Sequence, residues 1–318
     1  MYRKHLSALI IGLAFITVML CCKKEDYYAP VDTSLSNLFA DLRTTPQNIK
    51  VTAGVAQTVV AANGTAMNFY PNSFKDEAGN IITSGTVNIQ ITEMYKAGSM
   101  IQNRATTADA DGSALQSGGQ VNIVATMNNK TVYANKYGIA FRQSAPSNKP
   151  MALYYGNSGS SDSVSVWNAA DTTQKGTIVK GTVKDTARKY GPDADFYFIF
   201  DSCVDFKWIN CDYKWGDGYK FTFIKLALEG KPFTSKNTEV YVIYPDIKST
   251  IKMRYEKDST FMLKKAPIGV NYKIAVISKI DDQYYYAEKT GVITDSLRLT
   301  ETPAPETRSD MIVKLGGL

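Results

Sequence analysis

The densest run of chemically capable side chains is Cys203-Val204-Asp205-Phe206-Lys207-Trp208-Ile209-Asn210-Cys211-Asp212. Two thiols eight residues apart can act as a redox pair, contribute to a soft-metal site, or close a structural disulfide. A metal would need further soft ligands, and the only histidine in the chain is His5, so no metal or other cofactor is expected. Aromatic side chains gather around the same run as Trp208, Tyr213, Trp215 and Tyr219, and again as Tyr284-Tyr285-Tyr286. On a strand Tyr284 and Tyr286 share one face and Tyr285 takes the other. Trp208, Trp215, Tyr284 and Tyr286 are therefore the candidates for stacking on the apolar faces of sugar rings, with Asp205 and Asp212 alongside. Asp109-Ala110-Asp111-Gly112 has the start of a calcium loop, but Val121 stands where a late bidentate glutamate belongs, which favours a turn stabilised by its own carboxylates. The carboxylate pairs Asp193/Asp195 and Asp281/Asp282 sit near turn residues, and Asp281-Asp282 reads as a hairpin turn between Ile280 and Tyr284.

His5 belongs to a segment with its own signature. Arg3 and Lys4 precede an apolar run from Leu6 to Leu20, followed by Cys21-Cys22-Lys23-Lys24-Glu25-Asp26. The run is too short for a membrane-spanning helix, which needs about 20 apolar residues, and matches the core of a secretory signal peptide. Removing residues 1–21 deletes two cations and no acid, lowering the net charge of +6 by two. It also leaves a chain without histidine, and hence without a Ser-His or Cys-His catalytic pair. The lysines are scattered along the chain, so no nucleic-acid partner is implied.

The elements that must position these groups are strands. Thr86–Thr92, Gln120–Ile123, Val164–Val166, Tyr219–Phe223 and Glu239–Ile243 alternate polar and apolar residues, the period of a half-buried strand. Turn signals separate them at Asn63-Gly64, Gly79-Asn80, Asp111-Gly112, Gly118-Gly119, Asp217-Gly218 and Pro267-Ile268-Gly269. One helical stripe, Leu35, Leu38, Phe39 and Leu42, lies in an otherwise polar stretch and must dock or fray. The fold class is all-β: two β-sandwich-like domains behind a cleaved signal peptide and a polar tether. The expected boundaries are 1–21 for the signal peptide, 22–48 for the tether, 49–156 for the first sandwich, 157–175 for a small-polar linker, and 176–318 for the second.

Four resemblances add to this reading. The site after the apolar run resembles the lipobox of bacterial lipoproteins, which implies acylation at Cys22, with Cys21 as the competing position. The residues Lys23-Lys24-Glu25-Asp26 behind it resemble the start of lipoproteins of the Bacteroidota, which implies an outer-membrane location facing the cell surface. The string Gly64-Thr65-Ala66-Met67-Asn68-Phe69-Tyr70-Pro71-Asn72-Ser73-Phe74 resembles a recurrent domain of such lipoproteins. So do Gly79-Asn80, Gly85-Thr86-Val87 and the continuation through Met100-Ile101, Thr106-Thr107, Gly112, Leu115, Gly118-Gly119 and Ile123. That domain is similar to a β-sandwich repeat of ankyrins and netrin receptors, which implies interaction and not catalysis. Trp208-Ile209-Asn210-Cys211-Asp212 resembles a motif of the C-terminal domains of the same lipoproteins.

The leading functional expectation is a non-enzymatic, membrane-anchored surface lipoprotein with a binding, adhesive or structural role and a protein or glycan partner. The alternative is a glycan-binding accessory of a polysaccharide uptake system, and a carboxylate-based hydrolase comes third. An exported chain favours a Cys203–Cys211 disulfide over two buried free thiols. Eight extended residues span about 26 Å against roughly 4.4–6.8 Å between the Cα atoms of a disulfide, so the bridge requires a chain reversal between them.

Overall fold

The alternating segments form strands because one face of each can be buried, and the order of these strands decides the architecture. The computed structural model describes residues 33–143, 149–156, 163–164, 166–170, 177–180 and 196–318. Cys22, Glu25, Asp26, Asp193 and Asp195 lie outside the described residues, as does the small-polar stretch 157–162. In chain order the described strands are β1 (Gln47–Thr52), β2 (Gln57–Val60), β3 (Ala66–Phe69), β4 (Phe74–Lys75), β5 (Thr86–Met94), β6 (Leu115–Met127), β7 (Lys130–Ala134), β8 (Tyr137–Gln143), β9 (Ala152–Gly156), β10 (Trp167–Ala169) and β11 (Thr177–Lys180). They continue as β12 (Phe196–Cys203), β13 (Lys207–Lys214), β14 (Phe221–Leu228), β15 (Thr238–Tyr244), β16 (Ser249–Lys252), β17 (Arg254–Tyr255), β18 (Thr260–Pro267), β19 (Asn271–Ile280), β20 (Gln283–Val292), β21 (Leu297–Glu301) and β22 (Ala304–Glu306). Three helices accompany them: α1 (Thr33–Leu42), α2 (Ala97–Gln102) and α3 (Arg308–Gly316). None is long and apolar enough to cross a membrane.

The first sandwich packs an eight-stranded sheet, β1-β5-β6-β13-β9-β10 with β7 on β6 and β4 on β7, against the sheet β11-β12-β8-β3-β2. Val87, Ile89, Ile91, Val121, Ile123, Ile209 and Cys211 from one sheet meet Met67, Phe69, Ile139, Phe141, Phe198 and Phe200 from the other. The second sandwich packs β17-β18-β14-β21 against β16-β15-β19-β20-β22. Its core joins Ile224, Leu226, Phe261 and Leu263 to Val240, Val242, Tyr244, Ile274 and Val276. Each such side chain removed from water contributes about 1.5–3 kcal/mol. The two-residue hairpins have the expected chemistry: Asp281 and Asp282 both take positive φ, as do Asn128 and Asn129, the condition for turns that match strand twist.

Three expected boundaries are corrected: β10, in the range expected as a linker, pairs with β9, and β11 pairs with β12, so both belong to the first sandwich. β12 and β13 fall in the range assigned to the second domain, yet β12 pairs with β8, and β13 lies between β6 and β9 in the middle of the first sandwich. Without β13 both neighbours would present unpaired edges inside the sheet, so the crossing to the second sandwich falls after Lys214. The helical stripe is docked as well. Leu38, Phe39 and Leu42 are buried against Tyr241, Ala275 and Ile277 of the second sandwich, and strand pairing begins at Gln47, so residues 33–48 belong to the body. Gly118-Gly119 is no turn either, because both residues lie within β6. A Cβ on Gly118 would come within 2.9 Å of the Cys211 carbonyl oxygen, and Gly119, at φ +118°, lets the strand bulge under the Tyr95 ring.

α2 interrupts the first sandwich between β5 and β6 but packs with α1 and α3 on the outer face of the second, over Tyr241, Ile243, Ala275, Ile277 and Tyr286. At Gly98 the contact is closer than any side chain would allow, since a Cβ would lie 1.6 Å from the Leu315 carbonyl oxygen. Just beyond α2, Arg104 bonds Glu239 of β15 at 2.7 Å. Lys252 of β16 reaches the same carboxylate at 2.6 Å, and the Tyr241 hydroxyl donates to its other oxygen. The following residues zip onto the edge of the second sandwich. Thr107 N–H donates to the Thr250 carbonyl and Thr250 N–H to Thr107 Oγ1, both at 2.7 Å. The described residues thus form one compact unit.

Glu239 is buried, with 1% of its side chain exposed. Burial raises its pKa, but Lys252 and Arg104 outweigh that effect and lower it from 4.5 to about 2. The stabilisation is complete above the unfolded value and is lost as pH falls from about 4.5 toward 2. Glu239→Gln strands two cations and should cost about 3–5 kcal/mol at neutral pH. Urea titrations at pH 7 and pH 3 should show the variant's deficit shrinking in acid, and an unchanged midpoint at pH 7 would contradict the role assigned to this carboxylate.

Candidate binding face at the junction

The Trp208-Asn210-Asp212 stripe is where sequence reading and structure part most clearly. These residues alternate onto the outer face of β13, but that face is covered. Trp208 packs with Met94, Met100, Ala105, Leu115, Tyr154, Val164 and Trp167. Trp167 is held there by its indole N–H, which donates to the Thr106 carbonyl at 2.5 Å. Asn210 lies opposite Gln120, and Asp212 opposite Ser117 across the glycine bulge. Asn210 Nδ2 donates to Asp212 Oδ2 at 2.5 Å. Gln120 Nε2 and Oε1, Trp208 Nε1, Asn210 Oδ1 and Asp212 Oδ1 are buried without a protein partner among the described residues. Burial pushes the Asp212 carboxyl well above the usual range, against the hydrogen bonds from Ser117, Asn210 and the Gly118 amide. Asp212 thus sits inside the fold, where burial disfavours its charged form, and is no rim for a sugar. Trp208 is no stacking platform.

The cysteines stand apart from a bridge. Cys203 and Cys211 are both free and buried. Cys203 ends β12 in one sheet, opposite Tyr137, whereas Cys211 sits mid-strand in β13 of the facing sheet, opposite Leu153. The chain turns between the sheets at 204–206, but Lys207–Lys214 then runs on as one strand. The Cys203 thiol lies 3.3 Å from the Tyr155 hydroxyl and 3.6 Å from the Asp205 carbonyl. Burial raises both thiol pKa values, which suppresses thiolate chemistry.

The tyrosine triplet alternates as expected. Tyr285 faces the second core, edge-on to Phe233 at 6.2 Å, while Tyr286 is buried under α3 and Tyr284 is half-buried on the same side. Lys279 and Lys314 cover the rings of Tyr284 and Tyr286. The helices of the second sandwich have taken the face that the triplet could have offered a ligand.

What remains wet is the turn where the chain crosses between sandwiches. Trp215 stacks inward toward Tyr244 at 6.4 Å and outward against Tyr219 at 4.6 Å. Tyr219 and Phe221 are 43% and 42% exposed. Gly216 and Gly218 take φ of +111° and +89°, and this double reversal brings Tyr219 back onto Trp215. The Asp109–Ser113 loop lies beside the turn. Asp109 Oδ1 accepts the amides of Asp111 and Ser113, at 3.0 and 3.1 Å. Lys214 reaches both carboxylates at 3.0 Å, and Lys265 meets Asp111 at 3.3 Å and the Ser113 hydroxyl at 2.6 Å. Hydrogen bonds from Asp109 and Ser113 hold Asp111 well below the usual carboxylate range, while burial raises Asp109. Lys265 also covers the Phe221 ring at 5.4 Å.

Two partly exposed rings, Tyr219 on Trp215 and Phe221 beneath Lys265, stand beside fixed ammonium, carboxylate and hydroxyl groups and can hold an apolar ring while exchanging hydrogen bonds at its rim. Trp215 supports this face from beneath. Phe221 and Lys265 were not among the expected site residues. The i, i+2 spacing of Tyr219 and Phe221 was a readable signal for the first; nothing local marks Lys265, whose partners lie over 150 residues away.

Asp212→Asn should be at least as stable as the parent. Asp212 favours folding fully below the unfolded value of 3.8, and that contribution is lost as pH rises toward the raised folded value. The variant's advantage should therefore grow by up to about 1.4 kcal/mol per pH unit across that interval. Urea midpoints at pH 4 and pH 8 measure it, and an advantage confined to pH 4 would contradict the raised carboxyl. For the cysteines, iodoacetamide should leave Cys203 and Cys211 unmodified in the native protein and alkylate both in denaturant without reductant. Alkylation that requires a reductant would restore the bridge.

Compared with known proteins, the chain matches no protein-family model and no curated sequence.

Proposed function

We propose that this protein is a non-enzymatic surface lipoprotein, anchored in the outer membrane through an acylated Cys22 and binding its partner at the junction of its two sandwiches. The observation that carries the binding role is the exposed Tyr219–Phe221 pair, backed by Trp215 and rimmed by Lys214, Lys265, Asp111 and Ser113. Exposed rings with a fixed polar rim are costly to leave in water and characteristic of recognition surfaces. The anchor is supported by the apolar run Leu6–Leu20 before Cys21-Cys22, and Glu25 and Asp26 support display on the outer side. Acyl chains would supply the membrane affinity without a spanning helix.

A glycan is the second reading for the partner, favoured by the ring faces and their hydroxyl-matching rim. Tyr219→Ala/Phe221→Ala removes the rings at exposed positions and should leave the thermal midpoint within a few degrees of the parent while abolishing retention on polysaccharide columns. Retention unchanged in that variant would defeat this face as the binding site. Mass spectrometry of the mature N-terminal peptide should find diacylglyceryl on Cys22, ahead of Lys23-Lys24-Glu25-Asp26. An unmodified peptide starting further downstream would defeat the anchor.

A further inference from the structure

The outer face of the four-stranded sheet continues from this junction and carries a charge pattern the binding turn does not explain. β14 turns Ile224, Leu226 and Leu228 inward, leaving Phe221, Phe223, Lys225 and Ala227 outside. The register places Arg254 of β17 beside Met262 of β18, Met262 beside Lys225, and Lys225 beside Arg298 of β21. Three cations therefore share one row across all four strands. Lys264 adds a fourth on the same face, and Lys265 joins it to the junction loop through Asp111. Among the described residues, Glu256 lies on this face, held by Arg254 at 3.0 Å, and Glu229 follows Ala227 at the far end of β14. Lys225, Lys264 and Arg298 make no ion pair with any described residue.

Like charges placed directly opposite on neighbouring strands destabilise a sheet, so Lys225 beside Arg298 is a cost that folding alone does not require. Arg298 lies over the Phe223 ring at 5.2 Å, which fixes its guanidinium at the surface and caps the ring. With strands about 4.8 Å apart, Lys225 and Arg298 are one strand spacing apart, and Arg254 lies two spacings from Lys225. That is a linear array, comparable with the advance of a pyranose chain by one and two residues. Met262, between Arg254 and Lys225 in the row, offers an apolar contact to the C–H faces of such rings. An anionic membrane would attract the same cations without reading their spacing, whereas an extended chain of regularly spaced acids matches a row with one and two strand spacings between its cations.

From this array we infer that the outer face of β17-β18-β14-β21 binds an acidic polysaccharide, its carboxylates or sulfates set along the Arg254–Lys225–Arg298 row. This inference rests on the reading of the protein as a binding protein and gives its partner a chemical class. The test is retention of the mature chain on immobilised polygalacturonate at 50 mM salt. Lys225→Gln/Arg298→Gln should weaken binding at least tenfold while the thermal midpoint stays or rises, because a repulsion has been removed. Lys50→Gln/Lys130→Gln removes the same charge from exposed positions on the first sandwich and should leave retention nearly unchanged. Equal losses in the two variants would reduce the effect to net charge and overturn the proposal. So would absence of retention, or binding to phosphatidylglycerol vesicles without binding to polygalacturonate. If retention on neutral glycans persists and depends on Tyr219 and Phe221, the wider binding reading stands and only the acidic class fails.

Discussion

One buried carboxylate, Glu239, ties the two sandwiches together. It projects from the outer face of β15 into a layer of helices, where an unpaired charge would be untenable. Its partners come from three directions: Arg104 from the first sandwich, Lys252 from the neighbouring strand, and Tyr241 from its own strand. Arg104 can reach it only because α2 leaves the first sandwich and lies on the second, and α2 can lie there only because Gly98 has no side chain to strike α3. Arg104 in turn covers the Phe39 ring of α1 at 5.2 Å, and Arg308 at the start of α3 donates to the Asp41 carbonyl. The ion cluster thus sets α2 and, through Arg104, engages α1, which Arg308 ties to α3.

From that pin follows the position of everything at the junction. Residues 105–114 leave α2 along the edge of the second sandwich, where Ala108 and Ala114 enter its core and Thr107 pairs with Thr250. This path delivers Asp109, Asp111 and Ser113 to Lys214 at the end of β13 and to Lys265 on β18. Trp215 is held by the same segment, its amide donating to the Ala114 carbonyl at 3.2 Å. The exposed aromatic turn and the basic sheet face therefore meet through Lys265, and both depend on one relative placement of the sandwiches.

Local signals made the strands legible. Period two located Thr86–Thr92, Gln120–Ile123 and Glu239–Ile243, and Asp281-Asp282 announced its hairpin, because these features depend on neighbours in sequence. Pairing does not. That β13 inserts between β6 and β9 depends on contacts about ninety and fifty residues away, so the division between sandwiches could not be read from the small-polar stretch. The same blindness placed Trp208 and Tyr286 in the solvent: a strand shows which residues share a face, but not that Trp167 or α3 will cover it. Gly118-Gly119 misled for a related reason, since glycine marks a close backbone approach as readily as a turn. Among the stacking candidates, Trp215 alone came to the site, as the support beneath Tyr219 and Phe221.

The central claim is that the Glu239 cluster makes two sandwiches one cooperative body, and scanning calorimetry of the mature chain at neutral pH tests it most directly. A single endotherm is expected, with calorimetric and van't Hoff enthalpies in agreement. Two resolved transitions, or a calorimetric enthalpy near twice the van't Hoff value, would show sandwiches that unfold independently and would contradict it.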